Sequence, residues 1–254
     1  MGLNALDAMK MTYKNKLHKM KKLIGAIGTI VIVLILNSCG PHVKGNGTVT
    51  KEKHKIGNKT NIDISGQFIV YIKQGKNSEL VIETDENLHE YIDVSLEKNT
   101  IKVNTAAYIV ESEELNIYLT MPDVDNINLS GAVQLETEGK IKTDYLTIDA
   151  SGATEIQLNV NVKRLNLEIS GASESVLSGK AENVEIEARG ACEIEAFKLS
   201  AKNMFIDISG AGSADVNAKK ILDIEISGAG EIRYKGTPKI TQDISGSGSI
   251  KEAH

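Results

Sequence analysis

The stretch ILDIEISGAGEIRYKG, residues 221–236, alternates apolar and polar side chains and is interrupted by Ser227-Gly228. The same phrase returns as LTIDASGATEIQL (146–158) and MFIDISGAGSADV (204–216). Ser-Gly recurs every 18 to 21 residues, with Arg189-Gly190 in one slot. A serine repeated in this way is not the single nucleophile of an enzyme. We therefore assign Ser227 a structural role beside a turn.

A period near 19 residues decides the fold class, because it matches one coil of a β-solenoid and is too short for helix-containing repeats. The composition agrees, with 22 Gly, no Trp and many residues that favour strands. Parallel strand connections are overwhelmingly right-handed. The sequence therefore predicts an all-β, single-stranded parallel β-helix with right-handed coils.

The columns of this stack follow from alignment on the glycines. Every second position before the glycine is apolar and is predicted to point inward. The glycine itself is predicted to turn the chain at a corner, where φ is positive and a Cβ is disfavoured. The predicted corners are Gly131, Gly152, Gly171, Gly190, Gly210, Gly228 and Gly246.

The chain divides into four segments by pattern. Residues 1–38 contain a basic stretch and an apolar run too short to span a bilayer, which predicts a signal peptide. Its end, LNSC (36–39), resembles the lipobox of bacterial lipoproteins, which implies a lipoprotein signal peptide with lipidation of Cys39; the alternative is an ordinary signal peptide with an incidental cysteine. Residues 39–44 are interpreted as a tether. Residues 45–129 are interpreted as a less regular N-terminal β part, although NIDISG (61–66) already contains one copy of the phrase, and residues 130–254 as the regular coils.

The charge balance excludes some partners. Residues 1–38 hold six of the 29 basic and one of the 34 acidic residues, so the processed chain keeps 23 basic and 33 acidic residues. Because nucleic acids need basic clusters, we expect no nucleic-acid partner. Cys192 stands in a column of small residues and is predicted to be a buried thiol, since lipidation of Cys39 leaves it no disulfide partner. No metal or cofactor site is predicted.

One acidic side chain per coil stands two residues before the corner serine and alternates with the inward positions. Two interpretations stay open for this acidic column: a solvated surface, or a weak Ca²⁺ or basic-partner site. Its members are Asp149, Glu168, Glu187, Asp207, Glu225 and Asp243.

Four stretches resemble the auto-transporter adhesin family with a head GIN domain, which is common among lipoproteins of Bacteroidota. They are GNGTV (45–49), the block IDISGQFIVYIKQGKNSELVIETDENL (62–88), the block LNIYLTMPDVDNINLSGAVQLETEG (115–139) and the later SGAG-type corners. The resemblance implies a pectin-lyase-like β-helix, no recognised catalytic residues and a role in adhesion.

Three functions follow as hypotheses. The first is a non-catalytic adhesin or binding module, held in the outer membrane by its lipid, at the cell surface or on the periplasmic face, with a surface protein or glycan as ligand. The second is a periplasmic envelope-sensing or assembly component. The third is a polysaccharide lyase or glycoside hydrolase, which is disfavoured because the carboxylates are spread evenly and no histidine lies within the repeats. A homo-oligomer is also left open.

Overall fold

The structure, a computed structural model, describes residues 42–253. The signal peptide and Cys39 predicted above lie outside these residues. The described part is nearly all β, with a single short 3₁₀ helix, Glu86–Tyr91, among its elements. The strands are β1 His42–Lys44, β2 Val49–Lys55, β3 Asn61–Gln74, β4 Glu79–Asp85, β5 Ile92–Glu97, β6 Thr100–Thr105, β7 Tyr108–Glu111, β8 Leu115–Met121, β9 Asn126–Thr137, β10 Ile141–Lys235, β11 Lys239–Gly246 and β12 Ser249–Glu252.

The regular part is built from parallel pairs. Strand β9 pairs with the start of β10, and the end of β10 pairs with β11, in both cases with corner glycine opposite corner glycine. Strand β10 is extended over 95 residues and therefore contains several successive repeats. The copy of the phrase in β3 belongs to the same stack, since Ser65 and Gly66 pair with Ser130 and Gly131 of β9.

The interior of the stack consists of the predicted apolar columns. The column four residues before the glycines is completely shielded from solvent, and burying each such side chain stabilises the fold by about 1.5–3 kcal/mol. Its members, each 0% exposed, are Ile127, Ile148, Leu167, Ile186, Ile206 and Ile224. Gln242 occupies the same position in β11 but is exposed, since no strand pairs with β11 on its other side. The last coil thus forms an open edge.

The N-terminal part contains antiparallel pairs beside its parallel ones. Strands β2, β4 and β8 pair antiparallel, and β5 and β6 form an antiparallel hairpin. The hairpin turns at Lys98-Asn99, where Lys98 has a φ of 43°. The sheet is therefore mixed. The described part is nearly all β, as predicted, but its antiparallel pairs do not belong to a single-stranded parallel β-helix.

The start of the described chain is fixed by one buried carboxylate. Asp85 is 0% exposed and accepts hydrogen bonds from the backbone N–H groups of Gly47 (2.6 Å) and Glu113 (2.9 Å). A Cβ on Gly45 would lie 2.4 Å from Cγ of Asp85, so this position is closed to any larger residue. The GNGTV motif therefore fits around Asp85. Residues 42–44 of the predicted tether are part of the fold, as β1 pairs with β7.

Candidate functional site

The corner glycines form a column of close backbone contacts. All seven have a φ between 100° and 133°. A Cβ added to any of them would lie 2.3–2.5 Å from the carbonyl oxygen of the preceding glycine in the column, a separation that real Cβ atoms do not adopt. Glycine is thus required at these positions for two reasons: the backbone has a positive φ, and the backbone of the neighbouring coil leaves no space for a Cβ.

The serines beside these corners have structural partners in the first coils. Ser130 Oγ donates to Ser65 Oγ at 2.8 Å, and Ser151 Oγ lies 3.4 Å from the carbonyl oxygen of Leu129. Ser227 is exposed. The histidines in the described part all precede residue 90, whereas Ser227 lies near the other end of the chain. Ser227 is therefore not placed beside a histidine of the described part, and its structural role stays a prediction.

The six carboxylates of the acidic column lie at the surface, with none buried. Glu225 and Asp243 are direct neighbours across the β10–β11 pair. Arg189 donates to Glu187 at 2.5 Å and so neutralises one carboxylate near the middle of the column. Between residues 42 and 253, no three His, Cys, Asp or Glu side chains are grouped closely enough to hold a metal ion.

Cys192 is 5% exposed, and burial raises the pKa of its thiol. Its Sγ lies 4.0 Å from the carbonyl oxygen of Arg189. A buried thiol with a raised pKa has little thiolate character, which fits the inert packing role inferred from its column.

A polar cluster that the sequence did not reveal lies on the outer face of the N-terminal part. The rings of Tyr71 and Tyr118 stack with centroids 5.0 Å apart. The Tyr118 hydroxyl donates to Glu83 Oε2 at 2.8 Å, and Lys51 Nζ lies 3.1 Å from Glu83 Oε1 and 5.4 Å above the Tyr118 ring. We call these four residues the tyrosine cluster. Strands β2, β3, β4 and β8 each contribute one member.

The tyrosine cluster shifts the protonation of its members. Burial, followed by the hydrogen bond to Glu83, raises the pKa of Tyr118 well above its usual range. Burial also acts to raise the pKa of Glu83, but hydrogen bonds from Tyr118 and Lys51 outweigh it and the pKa is lowered. Neighbouring Glu136 has a raised pKa, chiefly through burial. The cluster thus favours a neutral phenol bonded to an ionised carboxylate.

Among the described residues, no helix is long and apolar enough to cross a membrane.

Solved structures show where this fold recurs. A "putative adhesin" from Bacteroides fragilis is similar with a TM-score of 0.80 at 24% identity, covering 83% of this chain and 100% of the other. A "putative adhesin" from Parabacteroides merdae reaches 0.68 at 23% identity, covering 84% and 99%. A "putative lipid binding protein" from Parabacteroides distasonis reaches 0.69 at 22% identity, covering 84% and 100%. At these identities the likeness shows a common fold.

The family assignment comes from the sequence. No relative with a curated description matches the chain. The family model described as "Putative auto-transporter adhesin, head GIN domain" matches residues 59–238. This range includes the IDISG block, β8 and β9, and all the coils of β10, which confirms the resemblance inferred from the motifs. Because the match spans most of its length, the protein belongs to the auto-transporter adhesin family with a head GIN domain.

Proposed function

We propose that the protein is a non-catalytic adhesin of the cell envelope. In this proposal a lipid on Cys39 holds it in the outer membrane, and the outer faces of the coils bind a surface protein or glycan. Family membership supports adhesion. The described fold begins at residue 42, three residues after Cys39, so an anchor there would hold the N-terminal strands close to the membrane.

The corner column is the observation that carries this proposal. Equivalent glycines of neighbouring coils approach closely, and the parallel pairs keep equivalent positions opposite each other, so neighbouring coils are stacked in register. The outward side chains are therefore held at the fixed spacing of a sheet, about 4.8 Å from coil to coil. A surface that is ordered before binding loses little conformational entropy when a ligand arrives. That property suits a rigid binding platform.

The finer architecture proposed for residues 126–252 is a right-handed, single-stranded parallel β-helix. Parallel pairing of equivalent positions one repeat apart, at both ends of β10, supports it. The preference of parallel connections for right-handed crossovers gives the hand. In this view the antiparallel strands of the N-terminal part close the first edge of the helix, whereas the edge at β11 stays open.

The non-catalytic part of the proposal rests on how the titratable groups are distributed. Glycoside cleavage needs two carboxyl groups at a defined separation and in different environments. The acidic column instead repeats carboxylates at the surface of successive coils, exposed or half-buried. The tyrosine cluster is tied internally by ion pairing and hydrogen bonding, and its Tyr118 holds a proton too tightly to act as a base at neutral pH.

Proteolysis of intact cells tests the location. We expect an added protease to remove the protein from intact cells while a periplasmic marker survives. We expect Cys39→Ala to abolish membrane retention or processing, because lipid chains would be the anchor. Protection from protease in intact cells, with digestion only after lysis, would favour the periplasmic sensing or assembly component instead.

Adhesion is tested separately with a strain that lacks the gene. We expect it to bind immobilised matrix proteins or glycans less than its parent, and complementation with the wild-type chain to restore binding. Equal adhesion of the two strains to every surface tried would refute the adhesin proposal.

A further inference from the structure

A groove crosses successive coils within β10, and its lining is positively charged although the chain as a whole is acidic. Its volume is about 600 Å³, within the range of small-molecule and oligomer sites. It takes residues from five consecutive coils, from Asp144 in the first to Lys220 in the last. At the usual strand spacing, four steps between coils give a length of roughly 19 Å. We call it the lysine groove.

The lysine groove carries an excess of positive charge. Its lining contains Lys163, Lys180, Lys202, Lys219 and Lys220 but only two acids, Asp144 and Glu182. All five lysines are exposed. Lys163 is bound to Asp144 at 2.7 Å, whereas none of the other four has an ion-pair partner within residues 42–253. The whole chain has a formal charge of −5, so this local excess of lysine runs against the overall balance.

The lining of the groove also includes apolar residues. Val162 and Ala181 contribute to it and are 6% and 8% exposed. A second hollow of about 280 Å³ is lined by residues that adjoin the groove lining in sequence, among them Asn183 and Asn203, whose side chains bond to each other at 2.9 Å, and the acids Glu185 and Asp223. Cations, amides and apolar surface are thus neighbours. Amides bind hydroxyl groups, and apolar surface packs against the C–H faces of sugar rings.

We propose that the lysine groove binds a linear anionic polysaccharide, one that bears carboxylate or phosphate groups along its chain. The proposal rests on the adhesin function and names the chemical class of its ligand. Length and concavity favour an extended polymer. The excess of lysine in the lining requires that this polymer be anionic.

The test uses the full chain reconstituted in phosphatidylcholine nanodiscs. Binding of polygalacturonate, dextran phosphate and unmodified dextran is measured at low and high ionic strength. We expect both charged polymers to bind at low salt, to weaken at high salt, and dextran not to bind. The tighter of the two charged polymers identifies whether carboxylate or phosphate is preferred. Failure of both to bind would overturn the proposal.

Paired variants locate the site. Lys180→Gln with Lys202→Gln should weaken binding of the charged polymers by about tenfold, as expected for the loss of two exposed charge contacts. Lys55→Gln with Lys76→Gln removes the same charge from two exposed positions in the N-terminal part and should leave the affinity unchanged. Equal effects of the two pairs would mean that the polymers sense only net charge, and the groove would not be the site.

Two further outcomes would assign the groove to another occupant. Binding to phosphatidylglycerol vesicles that needs Lys180 and Lys202, without polymer binding, would make it a membrane contact. Concentration-dependent self-association lost in the same variant would make it an interface between copies. Cell adhesion is measured separately. If the groove variant still adheres to cells, the lysine groove is not the adhesive site, but the adhesin proposal stands. If the protein binds the polymers but mediates no adhesion, the groove proposal stands and the adhesin proposal fails.

Discussion

The coils from residue 126 onward and the N-terminal strands before it use glycine in different ways. In the coils each corner glycine contacts the backbone of another glycine. In the N-terminal part Gly47 and Gly57 have positive φ with open space around them, and Gly45 faces the side chain of Asp85. Backbone contacts between equivalent positions must repeat along the chain, whereas a contact with one particular side chain occurs only once. The corner column therefore accounts for the recurrence of glycine in the sequence repeat.

The two regions also differ in what they bury. The coils enclose mainly apolar columns, whereas the N-terminal part encloses an ionisable residue, Asp85, with its hydrogen bonds satisfied by the backbone. A stack of identical coils is stabilised by many equal contributions, each repeated. The irregular part depends on a few specific polar contacts. A single substitution in either region should thus act through a different physical cause.

The largest expected effect is a Cβ in the corner column. Gly210→Ala would place a methyl group 2.5 Å from the carbonyl oxygen of Gly190 at a φ of 133°, which we expect to cost more than about 3 kcal/mol or to prevent folding. Gly57→Ala is the matched control, with a φ of 62° and open space, and should cost about 1–2 kcal/mol. Urea unfolding measures both. Equal losses would show that backbone conformation alone, without stacking, explains the corner glycines.

The second effect tests the N-terminal part. Asp85→Ala leaves the N–H groups of Gly47 and Glu113 without their acceptor, so we expect a loss of about 3 kcal/mol. Asp93→Ala, at an exposed position of β5, should change stability by less than about 0.5 kcal/mol. The same urea titration compares them. If Asp85→Ala is as mild as Asp93→Ala, the carboxylate does not fix the start of the fold.

The same difference decides what could be predicted from the sequence. The inward columns and corner glycines could be located because each environment recurs in every coil. The contact of Tyr71 with Tyr118 could not, since it depends on the register of β3 against β8, which no repeat specifies. Asp85 has the sequence neighbourhood of a surface acid. Lys163, Lys202 and Lys220 each stand eight residues before the next corner glycine, so alignment on the glycines could have located this column, but only the apolar and acidic columns were followed in the sequence.

A third, smaller effect concerns pH and the tyrosine cluster. The pKa of Tyr118 is raised in the folded state, so its contribution to stability is complete below the pKa of an unfolded tyrosine, about 10, and is lost as pH rises above it. At neutral pH we expect Tyr118→Phe to cost about 1 kcal/mol through the lost bond to Glu83. The gap between wild type and variant should close at alkaline pH.

Tyr145→Phe is the control for this titration, because Tyr145 is 59% exposed. We expect it to match wild type at every pH in chemical unfolding experiments. A Tyr118→Phe gap that stays constant from neutral to alkaline pH would contradict the assigned shift and leave only a pH-independent packing effect.

The smallest expected effect separates the two interpretations of the acidic column, a feature confined to the coils. Neighbouring carboxylates one coil apart repel by about 0.9 kcal/mol in bulk water, and salt screens much of this. Any salt should therefore raise the melting temperature slightly.

A bound Ca²⁺ would raise the melting temperature further than NaCl does at the same ionic strength. Because no three carboxylates of the described residues are grouped as metal ligands and Arg189 already neutralises Glu187, we expect equal melting temperatures in CaCl₂ and NaCl at matched ionic strength. The double variant Glu187→Gln with Asp207→Asn should likewise melt at the same temperature in both salts. A higher melting temperature in CaCl₂ that this variant erases would instead establish the column as a cation site.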